Sequence, residues 1–68
     1  MQHYNTKFYT VRHIKSGMHL SHNGKAMTQN INEMFTALSK SDAVVFRKLR
    51  PDPEHFVVVT WTMDWELP

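Results

Sequence analysis

Ala43–Trp65 reads AVVFRKL, then RPDPEH, then FVVVTWTMDW. The choice of fold turns on this stretch. Both flanks are rich in β-branched and aromatic residues, which suit a pleated, half-buried surface. Pro51 and Pro53 between them cannot donate to a ladder and mark a turn. The stretch therefore predicts a long β-hairpin, with a third strand over 43–49 and a fourth over 55–65. On the fourth, the odd-numbered face (Val57, Val59, Trp61, Met63, Trp65) is more apolar than the even-numbered face (Phe56, Val58, Thr60, Thr62, Asp64). The odd face is thus expected to be core.

Upstream, TKFYTVRHIK (6–15) suits a first strand after a short polar lead, and Ser16-Gly17 is a turn signal. Met18–Leu20 then forms a short return strand. Met27, Ile31, Met34, Phe35 and Leu38 recur at i, i+4, i+7, i+8 and i+11, an apolar stripe at the helical period. This predicts a helix over about 26–40, with Ser39, Ser41 and Asp42 stopping it. The face opposite the stripe is almost uncharged, which argues against a DNA-recognition helix. The expected fold is α+β: a small antiparallel sheet of three or four strands with one helix on one face, in the order ββαββ, as a single domain over 1–68.

The totals narrow the function. The 68 residues hold no Cys, so neither disulfides nor thiolate metal sites can staple a domain this small. Hydrophobic content of 41% and charged content of 21% fit a folded chain. No apolar run approaches a membrane span and no secretory leader is evident, so no membrane association and a cytoplasmic location are expected. The formal net charge of +2 permits nucleic-acid contact without arguing for it. No nucleophile elbow, paired acids or phosphate-binding glycine loop is present, so neither catalysis, a small-molecule substrate nor a cofactor is expected. His13, His19 and His22 lie close in sequence, but HxxH ahead of a helix has no shared face and no nearby acid, so no metal site is expected.

One helix covers only one side of a small sheet. The other side, read as Val45, Arg47, Leu49, Phe56, Val58 and Thr60, is half apolar, and such a surplus marks an interaction surface. The expected function is that of a small non-enzymatic regulatory or inhibitory protein. It docks on a larger protein, or on itself as a homodimer, through this face or an edge strand. Small size also suits a phage- or mobile-element-encoded modulator. The alternative is a nucleic-acid binder using Arg12, Arg47, Lys48 and Arg50 with interleaved aromatic rings.

Overall fold

The computed structural model describes residues 2–67, with side chains over 4–64. It holds four antiparallel strands and one α-helix, as an α+β chain. The elements are β1 (Gln2–His13), β2 (His19–Leu20), β3 (Met27–Thr28), α1 (Lys40–Lys48) and β4 (Phe56–Leu67). Short 3-10 turns lie at Ile31–Glu33 and Pro53–His55. The element order is βββαβ rather than ββαββ, and the sheet order is β3-β2-β1-β4.

The framework is a ribbon of two 12-residue strands, β1 and β4, in register from Gln2 opposite Leu67 to His13 opposite Phe56. Residues 2–5 of the expected polar lead therefore belong to β1, and β4 runs on to Leu67; Met1 and Pro68 lie outside the described residues. β2 and β3 add to β1 at the ribbon's base, where Arg12 pairs with His19. Gly17, at φ +78°, closes the turn between β1 and β2 in a conformation that suits glycine. The far half of the ribbon projects, and the molecule measures 46 × 23 × 19 Å.

Two expectations change places. The apolar stripe from Met27 to Leu38 does not form an α-helix. Its polar side chains bond nearby backbone: Asn30 N–H donates to Thr28 Oγ1 (3.0 Å), and Asn32 N–H donates to Asn30 Oδ1 (3.0 Å). Such bonds compete with a helical ladder. Within the stripe Met34 is buried and Phe35 half-buried, while Met27, Ile31 and Leu38 are exposed.

The helix forms instead over the expected third strand. Ser39 caps it, its Oγ accepting from Asp42 N–H at 3.2 Å. Asp42 in the first turn and Arg47 and Lys48 in the last complement the helix dipole.

The core lies between α1 and one face of the ribbon. Val11, Leu20, Ala37, Ala43 and Phe56 form its buried cluster, with Tyr9, Phe35, Phe46 and Val58 packed against it. Phe35 and Phe46 stack at 3.7 Å between centroids. The even-numbered face of β4 is thus the covered one, opposite to expectation. Phe46 also rests on Gly24, whose φ is +71° and where a Cβ would meet the ring at 3.0 Å. Arg50 ties the same loop down, donating from Nη1 to the Gly24 carbonyl at 2.8 Å.

Candidate functional site: the uncovered ribbon face

Cross-strand partners in an antiparallel ladder point their side chains to the same face. The register sets Phe8 opposite Trp61, Thr10 opposite Val59, Arg12 opposite Val57 and Thr6 opposite Met63. His19 joins this face through its pairing with Arg12. α1 lies on the other side, so these residues form the uncovered face of the sheet.

The centre of this face is aromatic and held in place. Phe8 and Trp61 stack with centroids 5.9 Å apart and planes 5° from parallel. The Trp61 indole N–H donates to Thr10 Oγ1 at 2.8 Å. His19 lies 5.9 Å from the same indole. Trp61 thereby roofs Thr10 and His19, both buried, on the face of the sheet opposite α1. Around this centre Val57 is 39% exposed and Met63 52% exposed. Arg12 is exposed and supplies a charge at the base of the face. Burial, and secondarily the Arg12 charge, hold the His19 imidazole below its usual pKa. The His19 Nε2 is buried without a hydrogen-bond partner.

The expected docking residues are divided by the fold. Phe56, Val58 and Thr60 share the covered face of β4. Phe56 is 1% exposed and belongs to the core, Val58 packs against that core, and Thr60 is exposed opposite Tyr9. Val45 is on α1 and Leu49 is its C-cap; both are exposed, Leu49 at 78%. Together with Leu38, 81% exposed, they border an open apolar groove of about 470 Å³ beside Phe35 and Phe46. Arg47 is no rim residue of a sheet, because its Nε donates to the Phe56 carbonyl at 2.7 Å. The six do not make one surface.

The basic residues disperse as well. Arg47 and Arg50 are bound to backbone carbonyls. Arg50 also pairs with Asp52 at 3.4 Å and lies over the Phe56 ring at 5.2 Å. Lys48 is exposed near the end of α1, and Arg12 is on the opposite face of the sheet. The histidines likewise separate. His13 Nδ1 bonds Ser16 Oγ (2.8 Å), His22 Nε2 bonds the Asn32 carbonyl (3.1 Å), and His19 is under Trp61. No group of three or more metal-ligating side chains occurs among the described residues. No helix among them is long and apolar enough to cross a membrane.

Alternation along β4 marks Trp61, Met63 and Val57 as apolar but assigns them inward; on β1 either Tyr9 and Val11 or Phe8 and Ile14 could face the core. The signal for the uncovered face was the Phe8, Thr10 and Arg12 repeat on β1, which carries both aromatic and charged residues. In comparisons with known proteins, no family profile, no curated protein and no solved structure matches the chain.

Proposed function

We propose that this chain is a small non-enzymatic binding protein that docks on a larger protein through the uncovered ribbon face, acting by occlusion as a regulator or inhibitor in the cytoplasm. The observation that carries the reading is the ordered Phe8–Trp61 stack on the face of the ribbon opposite α1. Interface energy concentrates in rigid aromatic anchors, and a side chain already held in place loses little entropy on binding. Met63 and Val57 extend the apolar area, and Arg12 suits a polar rim. The groove beside α1 is less suited, because Leu38 and Leu49 on its border are about four-fifths exposed.

Nucleic-acid binding is the second reading. It is favoured by the aromatic stack beside Arg12 and disfavoured by the commitment of Arg47 and Arg50 to internal carbonyls. The test uses immobilised wild-type chain, Met63→Asp and Leu49→Asp in nuclease-treated lysate. A protein held by wild type and by Leu49→Asp but lost from Met63→Asp supports docking through this face. Retention that Met63→Asp leaves unchanged rejects the face. Binding to single-stranded oligonucleotide that falls by about 0.7 log units per neutralised phosphate per decade of salt favours the second reading.

A further inference from the structure

We infer that two copies of this chain join edge to edge through β4, making one continuous sheet across a two-fold axis. This rests on the edge of β4 rather than on its uncovered face, and it is independent of the docking proposal.

The direction of the backbone groups follows from one bridge. Tyr9 and Ala37 exchange both backbone hydrogen bonds, at 2.8 and 2.9 Å. The Tyr9 N–H and C=O therefore point away from β4. Direction alternates along an antiparallel strand, so even-numbered residues of β1 bond to β4. The Ile14 N–H bond to the His55 carbonyl, 2.9 Å, agrees with this parity. Through the register, odd-numbered residues of β4 bond inward and even-numbered ones face the outer edge. Pairing runs without a bulge from one end to the other, so the parity holds throughout.

β4 is the terminal strand of its sheet. At its start the edge is closed, because Phe56 donates to the Pro53 carbonyl and its own carbonyl accepts from Arg47. Beyond that, Val58, Thr60, Thr62, Asp64 and Glu66 present backbone donors and acceptors outward. Natural edges are usually guarded by charged side chains, Pro or a bulge. From Phe56 to Met63 β4 has none of these, whereas β1 carries Lys7. The projecting half of the ribbon is only two strands wide, and two strands alone are marginal in water.

The occupant that fits is a second β4. Antiparallel pairing that uses all five outward positions puts Thr62 opposite Thr62 of the second copy, Thr60 opposite its Asp64, and Val58 opposite its Glu66. Asp64 of each strand then lies opposite Thr60 of the other, so no two acidic residues face each other across the pair. Each α1 sits at the Phe56 end, six residues or about 20 Å from the axis, so the two helices do not meet. On the uncovered face, Trp61 falls opposite Met63 of the second copy in a non-hydrogen-bonded pair, where side chains approach closest. The two aromatic faces thereby become one.

The test is the mass of the full-length chain by light scattering over a series from micromolar to millimolar, beside two variants. Wild type is expected to reach twice the chain mass. Thr62→Pro removes an outward donor at the axis while leaving the β1 ladder bonded, and is expected to remain monomeric with an unchanged circular dichroism spectrum. Thr62→Cys places two sulfurs on the axis at a hydrogen-bonded pair, where Cα atoms about 5.5 Å apart suit a disulfide. Mild oxidation is expected to convert it to a covalent dimer, while Lys7→Cys stays largely uncoupled. A wild type that is monomeric throughout overturns the inference. So does a dimer that survives in folded Thr62→Pro. If Thr62→Pro unfolds, coupling of Thr62→Cys no faster than Lys7→Cys overturns it.

Discussion

On one face of β4, Phe56 and Val58 lie under α1, and Phe56 is 1% exposed. On the other, Val57 and Met63 are equally apolar yet 39% and 52% exposed. The difference lies in what each face meets. The covered face is closed by small residues that allow close approach, Ala37 and Ala43, and by the stacked Phe35 and Phe46. On the uncovered face the shelter comes from its own rings, with Trp61 lying over Thr10 and His19. Apolar character says that a side chain prefers to leave water; it does not say whether a neighbour from the same chain provides the shelter.

The sharpest way to break the comparison is to truncate one residue on each face of the same strand. Phe56→Ala is expected to cost about 3–5 kcal/mol, enough to unfold most of a domain this small, whereas Met63→Ala should stay within about 0.5 kcal/mol. Urea denaturation followed by circular dichroism reads both. Equal losses would show that the two faces are not distinct.

Gly24→Ala probes the covered side from its loop. The positive φ and the ring of Phe46 against that position predict a loss of about 1–2 kcal/mol. A neutral or stabilising result would mean that Phe46 does not rest there. On the uncovered side, Trp61→Phe keeps most of the ring and removes the donor to buried Thr10. About 1 kcal/mol should be lost in thermal unfolding.

The smallest effect is one of pH. The folded state holds the His19 pKa below the unfolded value, so above about pH 6.5 both states are neutral there and its contribution is complete. As pH falls below that value, the unfolded state takes up the proton first and stability declines. His19→Gln should flatten this decline in denaturation midpoints measured across the acid range. A slope unchanged by the substitution would remove His19 as its cause.

Much of this fold was readable in the chain. Gly17 and the β-branched run of 56–63 marked the first turn and the last strand, and an α+β sheet with one helix follows from them. The helix was not readable from periodicity. The stripe from Met27 to Leu38 has helical spacing, but Thr28 and Asn30 spend their oxygens on local backbone, and Met27–Thr28 pairs with β2 instead. AVVFRK has β-branched residues, but the Ser39 cap and the charges at Asp42, Arg47 and Lys48 agree with a helix, and Ala43 and Phe46 face the core from it. Once the helix occupies 40–48, the covered face of β4 switches parity, and the candidate site moves from Phe56 and Val58 to Trp61 and Met63. The surplus of apolar sheet surface was legible from composition. Its side was not, because it depends on the placement of one nine-residue helix.

Which face of β4 that helix covers decides where the candidate site lies. The most direct measurement is a nuclear Overhauser spectrum of the Trp61 indole protons. The structure requires cross-peaks from the indole to Phe8, Thr10 and His19, with Phe56 instead connected to the core around Ala43 and Val11. Cross-peaks from Trp61 to Ala43 or Phe46 would place the helix over the opposite face and contradict the account.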